Sequence, residues 1–162
     1  MKENGCYIIK DSFFERFNDP YLKGNKDGNR PHYFCMKDPN YEDLFWVIPL
    51  SSRADKYRDI VSKKEASRKP CDILHIIKVN NRENVFLIQD IFPVTEEYIS
   101  REYTINGMHL LIWKDNKIIK QKAKNILRLI NRGVRFGITQ PNVLKIKEEL
   151  LKDIKNAQNN CR

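Results

Sequence analysis

Two hydroxyl groups and a run of cations directly follow one predicted strand. Ser51 and Ser52 come after the apolar residues 44–48 and a proline. Three cationic side chains stand within the next six positions: Arg53, Lys56 and Arg58. A second group opens the preceding predicted strand: Arg30, His32 and Tyr33. The start of one strand of an antiparallel hairpin lies beside the end of the other, so we expect residues 30–33 and 49–53 to meet.

This set of side chains suits RNA cleavage without a metal ion. The substrate's own 2′-OH attacks the adjacent phosphate, so the protein need only orient it, move protons and neutralise the phosphorane. A positioned acid or base contributes on the order of 10²–10⁴ in rate, and a donor aimed at the developing charge roughly 10²–10³. Ser51 and Ser52 could hold the 2′-OH or a phosphate oxygen, and His32 could carry a proton near neutral pH. Arg53 and Lys56 could supply charge. The plain alternative is an ordinary Ser-Ser loop after a proline.

The sequence lacks the common patterns of metal and cofactor sites. Its four cysteines stand at positions 6, 35, 71 and 161 and include no C-x-x-C pair. Neither a P-loop, a G-x-G-x-x-G loop nor an H-E-x-x-H helix occurs. Cys35 and Cys71 lie inside apolar runs and are predicted to be small core residues. We therefore predict no metal site and no cofactor.

The balance of charge indicates a polyanionic partner. The chain has 162 residues, a size typical of one domain, and its 30 Lys and Arg against 21 Asp and Glu give a net charge of +9. Such a surface attracts RNA or DNA over long range, although the charge could also serve solubility alone. Four lysines outside the hairpin are further candidates for RNA contact: Lys63, Lys64, Lys120 and Lys124. The last two could equally belong to a solvated helix face. No apolar run approaches the roughly 18 residues of a membrane span, which predicts a soluble, cytoplasmic protein.

Hydrophobic periodicity predicts an α+β fold in which strands come first and helices last. Two hairpins are expected, one over residues 31–37 and 44–48 and the other over 71–79 and 85–92. Pro49 is predicted to end its strand, and residues 51–70 to form a long loop. Helical spacing is predicted from Leu110 to Ile130, and again after Thr139. Five or six short strands would most easily curl into a small barrel. We predict a single domain over residues 1–155 with a frayed tail over 156–162.

The arrangement resembles the ToxN/AbiQ-type endoribonuclease toxins of bacterial type III toxin–antitoxin systems, most closely the CptN branch. The resemblance rests on the Tyr7-Ile8-Ile9 strand before a short helix, and on the strand that begins at Pro31-His32. It rests also on the strand that delivers Pro49-Leu50-Ser51-Ser52 and on the basic helical last third. It covers roughly residues 6 to 150.

The resemblance implies a strongly curved antiparallel β-barrel similar to the MazF/Kid toxins, with added helices. It implies a metal-independent endoribonuclease that leaves a 2′,3′-cyclic phosphate. It also implies inhibition by a small repeated RNA antitoxin, a pseudoknot that the toxin cuts from a precursor and that closes a toxin–RNA assembly. Ser52 takes the place of the family's key serine and Ser51 that of the preceding hydroxyl residue. The chain departs from the family pattern at three positions: Ala54 and His32 replace lysines, and Gly28 replaces a tyrosine.

Three hypotheses follow for the function. The first is a metal-independent endoribonuclease toxin, acting on cellular RNA in bacteriophage defence or plasmid maintenance. The second is a non-catalytic basic module that binds RNA or DNA. The third, a structural partner of another protein, makes least use of the charge. Paired hydroxyls at a strand end favour the first, because simple binding does not need them.

Overall fold

The computed structural model describes residues 1–137 and 139–160, which form a mixed α+β fold. The strands are β1 Cys6–Ile9, β2 His32–Lys37, β3 Phe45–Ser51, β4 His75–Val79, β5 Arg82–Phe86, β6 Phe92–Val94, β7 Ile99–Glu102, β8 Thr104–Ile105 and β9 Met108–His109. The helices are α1 Asp11–Arg16, α2 Ala54–Ala66, α3 Asn116–Asn131 and α4 Val143–Asn160. The α+β prediction is confirmed, with the two longest helices at the C-terminal end.

The main sheet is antiparallel and open. Its order is β4-β5-β3-β2-β1-β7, β6 pairs with β3 as well, and β8 and β9 form a separate hairpin. The terminal strands β4 and β7 do not pair with each other, so the predicted closed barrel is wrong. Three of the four residues of β7 are exposed, as expected of a polar edge strand. The likeness to the MazF/Kid toxins is not confirmed by this open sheet.

The core lies between the central strands and the two long helices. Every residue of β1 and β3 is buried, which explains their nearly unbroken apolar runs. Helix α3 buries residues spaced four, three and four positions apart: Ile119, Ala123, Ile126 and Ile130. Helix α4 packs against β6 and buries Val143, Ile146 and Leu150. The helical stripe predicted for the last third is thus the surface that covers the sheet.

Several predicted boundaries differ from the structure. Strand β3 continues through Pro49 to Ser51 because the Pro49 carbonyl accepts a hydrogen bond from Leu87 N (3.0 Å) and Leu50 N donates to Pro31 O (3.0 Å). Residues 54–66, predicted as loop, form α2, which buries only Ala54 and so lacks a strong apolar period. Helix α3 begins at Asn116 and not at Leu110, because Leu110 N donates to Tyr103 O and Ile112 N to Asn4 O, which keeps this part of the chain extended. The predicted tail is helical as far as Asn160, and residues 161–162 lie outside the described part of the chain.

A buried carboxylate fixes α4 to the β2–β3 hairpin. The Asp38 side chain is 1% exposed and accepts hydrogen bonds from Trp46 Nε1 (3.0 Å) and Lys147 Nζ (2.5 Å). Burial would raise the pKa of Asp38, but the bonds from Lys147, the Asn40 N–H and Trp46 outweigh it and lower the pKa. The Lys147 ammonium also lies 5.5 Å from the centre of the Trp46 ring. This cluster connects the last helix to the strands that carry the predicted site.

We expect Asp38→Ala to lower the free energy of unfolding by about 3 kcal/mol, because it leaves the Trp46 N–H and the Lys147 ammonium without their acceptor. Urea denaturation measures this change. Asp43→Ala, an exposed carboxylate in the same hairpin loop, is the control and should change stability by no more than about 0.5 kcal/mol. Equal changes in the two variants would contradict a structural role for Asp38.

Candidate functional site

The structure brings the two predicted segments together at one end of the β2–β3 hairpin. His32 pairs with Pro49 in the ladder, and Pro31 O accepts a hydrogen bond from Leu50 N. Backbone pairing on both sides of β3 therefore sets where the chain emerges at Ser51 and Ser52. The expected meeting of residues 30–33 and 49–53 is confirmed for the backbone.

A cleft of about 820 Å³ opens at this point. Residues from four segments line it: the loop before β2, the end of β3, the β4–β5 turn and the chain from Tyr103 to Leu110. Ser51, Ser52 and Arg30 are among its lining residues, and so is Lys26, which the sequence analysis did not single out. The cleft is large enough to hold a nucleotide-sized ligand.

The two serines differ in their surroundings. Ser51 is 8% exposed, and its Oγ accepts a hydrogen bond from Arg53 N (3.2 Å), which orders the chain entering α2. Ser52 is exposed, and no described residue hydrogen-bonds to its hydroxyl. Ser52 is therefore the hydroxyl available to a ligand, whereas Ser51 supports the backbone beside it.

Three cations lie near this hydroxyl: Lys26 and Arg30 line the same cleft, and Arg53 directly follows Ser52 in the chain but is not among the lining residues. Arg30 is half-buried, and burial lowers the pKa of its guanidinium. The Arg30 charge is the main cause that lowers the pKa of the exposed Lys26 ammonium. Arg53 is exposed, and its charge further lowers the pKa of Lys26 and that of Arg30. These three cations thus form one positive region, because the charges of Arg30 and Arg53 both act on Lys26.

Two residues predicted at the site lie in the core instead. The His32 ring is fully buried, packs 5.4 Å from the Phe92 ring and has Nε2 3.2 Å from Lys23 O. Burial lowers its pKa to about 4, so the imidazole is neutral at pH 7. The Tyr33 side chain is also fully buried, and its hydroxyl donates to Asn4 Oδ1 (3.0 Å). Neither can contact RNA in this structure, because both are fully buried and neither is among the residues that line the cleft.

The remaining predicted cations lie on helices outside the cleft lining. On α2, Lys56 and Lys63 are exposed, Lys64 is partly exposed, and Arg58 pairs with Glu83. On α3, Lys124 is exposed and Lys120 pairs with Glu3. Because Arg58 and Lys120 form salt bridges, their positive charges are partly neutralised and attract an anion less strongly. These residues can provide general attraction, but the structure does not bring them to the serines.

Asp90 is a buried carboxyl group beside the cationic region, and the sequence analysis missed it. It is 4% exposed, and burial raises its pKa to about 6 although the charges of Lys23 and Arg30 oppose the shift. The Asp90 charge in turn raises the pKa of Tyr57 on α2, after the larger effect of burial. A single acidic residue inside the apolar run 85–92 is the sequence signal that could have found it.

The described residues contain neither a metal-binding cluster nor a membrane-spanning helix. Among residues 1–137 and 139–160, no group of three or more His, Cys, Asp or Glu side chains is placed to hold a metal ion. In the same part of the chain, no helix is both long and apolar enough to cross a membrane.

We expect the stability of Asp90→Asn relative to the wild type to rise with pH. The folded protein holds the Asp90 proton more tightly than the unfolded chain, with a pKa of about 6 against 3.8. Raising the pH from 4 to 7 therefore lowers the free energy of unfolding of the wild type by about 2 kcal/mol. The side-chain amide of the variant does not ionise, so the variant does not lose this stability. Urea denaturation at both pH values tests this, with the exposed Asp55→Asn as control. A stability difference that does not change with pH would contradict the raised pKa.

The comparisons with known proteins support the fold. No family model matches the sequence, and no curated protein matches it. A solved structure described as "A processed non-coding RNA regulates a bacterial antiviral system" is similar with a TM-score of 0.63 and 14% sequence identity. The similarity covers 89% of this chain and 95% of that one. At this level of identity the similarity shows that the two chains share a fold.

Proposed function

We propose that this protein is a metal-independent endoribonuclease toxin that is held inactive by a small RNA. The observation that carries the proposal is the exposed Ser52 hydroxyl, which lines a cleft together with Arg30 and Lys26. The fold similarity to a protein of an RNA-regulated antiviral system supports the same function. The net charge of +9 gives such a protein the long-range attraction that an RNA substrate requires.

In the proposed reaction the 2′-oxygen of the substrate forms a bond to the adjacent phosphorus, and the bond from phosphorus to the 5′-oxygen breaks. The products are a 2′,3′-cyclic phosphate and a 5′-hydroxyl end. Ser52 orients the 2′-OH or a phosphate oxygen, while Arg30 and Arg53 neutralise the charge that develops on the phosphorane. The proton of the 2′-OH passes to water, and the leaving 5′-oxygen receives one from the protein.

Lys26 is the side chain that we propose as the proton donor. It lines the cleft, and the Arg30 charge lowers the pKa of its ammonium, so it releases a proton more readily than an isolated lysine. His32, the donor favoured by the sequence, is fully buried. In the family pattern, lysines stand at the positions that Ala54 and His32 occupy in this chain. Lys26 would supply the ammonium group that is missing from those two positions.

The proposed inhibition by a small RNA is based on the similar solved structure. A processed non-coding RNA regulates the system of the similar structure. By analogy we propose that a small repeated RNA, folded as a pseudoknot, occupies the cleft, is cut by the protein and closes a toxin–RNA assembly. The cytoplasm, where both RNAs are found, is the proposed site of action. Membership of the CptN branch stays a prediction.

A non-catalytic module that binds RNA or DNA is the second candidate. The observation that favours it is the position of Lys56, Lys63 and Lys124, which are exposed on α2 and α3 outside the cleft lining. Such a module would bind RNA with a strong dependence on salt but would never cut it, so product analysis separates the two candidates.

We expect Ser52→Ala to lower RNA cleavage at least about 100-fold and to abolish growth inhibition on expression. RNA affinity and folding should change little, because Ser52 is exposed and no described residue hydrogen-bonds to its hydroxyl. Cleavage of labelled RNA measures the effect and should persist in EDTA. Ser62→Ala, an exposed serine on α2, is the control and should remain active. A Ser52→Ala protein that still cuts RNA and stops growth would refute the proposed centre.

Lys26→Arg is expected to keep RNA affinity within about twofold but to lower the cleavage rate on the order of 100-fold, because a guanidinium keeps the charge and does not release a proton. Single-turnover rates and filter binding separate the two quantities. Lys63→Arg, on α2 outside the cleft lining, is the control. If Lys26→Arg cleaves at the wild-type rate, Lys26 contributes charge alone.

A further inference from the structure

We propose that the chain from Tyr103 to Met108 forms the wall of the cleft that binds the nucleobases of a single-stranded RNA. The inference rests on the proposed function. It adds which part of the cleft binds the bases of the RNA and which part binds its phosphates. Its central residues are Tyr103, Ile105 and Met108, which line the same cleft as Ser52.

The cleft lining has two chemically different parts. Lys26, Arg30 and Arg82 supply cations and Ser52 a hydroxyl, whereas Tyr103, Ile105 and Met108 supply an aromatic ring and two apolar side chains. A single strand of RNA has the same division, with charged phosphates along its backbone and flat apolar faces on its bases. Phosphates therefore belong at the cationic part, and bases at the apolar part, where aromatic and apolar side chains can stack on them.

The exposure of Met108 has no explanation in the packing of the protein. Its side chain is 72% exposed, the largest value among the exposed large hydrophobic residues of the described chain. The hairpin that carries it is short, with only the pairs Thr104–His109 and Ile105–Met108. An apolar side chain held in the mouth of a polar cleft is what a base-binding surface requires, because its thioether can pack on an aromatic face.

The backbone holds this hairpin in place before any ligand arrives. Its two-residue turn consists of Asn106 and Gly107, with φ angles of 52° and 77°, a conformation that favours Asn-Gly. Tyr103 N donates to Cys6 O, and Cys6 N donates to Leu110 O, both at 2.9 Å. The hairpin is thus attached at both ends to β1, so that little ordering is needed when a base binds.

Of the four asparagine side chains that line the cleft, the three on the two hairpins could select among bases. Asn80 and Asn84 come from the β4–β5 hairpin and Asn106 from the tip of the β8–β9 turn, and all three line the cleft. A primary amide both donates and accepts hydrogen bonds, as the edges of bases do. Binding in this cleft would therefore combine stacking, which tolerates any base, with contacts that distinguish them.

The test compares two polyanions that share phosphates but differ in bases. A mixed-sequence single-stranded RNA and an inorganic polyphosphate of similar charge are titrated into Ser52→Ala protein, which does not consume the RNA. In this background Met108→Ala should weaken RNA binding about threefold to tenfold, and Tyr103→Leu by at least as much. Affinity for polyphosphate should stay within about twofold. Thermal melting checks that the variants are folded, and the high exposure of Met108 makes its substitution safe for the fold.

Trp113→Ala is the matched control, because Trp113 is 64% exposed but is not among the residues that line the cleft. It should leave both affinities unchanged. RNA affinity unaffected by Met108→Ala and Tyr103→Leu, in a parent that binds RNA, would overturn this inference alone. Equal losses on RNA and polyphosphate would overturn it as well. A parent that fails to bind RNA would overturn the proposed function and this inference together.

Discussion

The hydrogen bonds on both sides of β3 at Pro49 and Leu50 are the constraint on which the site depends. Leu50 N donates to Pro31 O on one side, and Pro49 O accepts from Leu87 N on the other. A proline has one backbone hydrogen-bonding group instead of two, yet here its carbonyl is used to join β3 to the chain that follows β5. The strand is held in place up to its last residue, Ser51. The next residue, Ser52, therefore leaves the sheet at a defined point opposite Arg30.

The electrostatics of this region oppose the stability of the fold. Burial lowers the pKa of Arg30 and raises that of Asp90 to about 6, so each group would be solvated better in the unfolded chain. The mutual repulsion of Lys26, Arg30 and Arg53 adds to the cost. A fold selected for stability alone would have placed apolar residues there. The same unfavourable arrangement is what an anionic ligand would relieve, because a bound phosphate adds the opposite charge to a region where cations are in excess.

The sequence predicts the elements better than it predicts which side chains face the cleft. The first hairpin was predictable, because buried strands have apolar runs that end in turn residues. The second was predicted over 71–79 and 85–92, whereas β4 and β5 pair over His75–Val79 and Arg82–Phe86, and the apolar residues after Phe86 lead into β6. Helix α2 was not, because it buries only Ala54 and its other residues are typical of a loop. The site prediction was right about where the segments meet, but His32 and Tyr33 were misplaced, since a strand buried on both faces gives no alternation to show which residues point inward. Lys26 and Asp90 were missed because both reach the site through tertiary packing.

The cations on the helices and the cations in the cleft differ in what they can contribute to binding an anion. Several cations already have acidic partners, as in the pairs Arg58–Glu83, Lys120–Glu3 and Lys147–Asp38. Each of these pairs adds nothing to the net charge of +9, which comes from the cations in excess of the carboxylates and acts over about 8–10 Å at physiological salt. The cations of the cleft act at contact distance, where the position of a single nitrogen matters. Under the proposed function, substitution of the cations on the helices should alter the association rate of RNA. Substitution of residues in the cleft should alter the rate of cleavage. Net charge alone cannot distinguish a nuclease from a binding module, so the proposed nuclease function rests on the exposed Ser52 hydroxyl in the cleft that Lys26 and Arg30 also line.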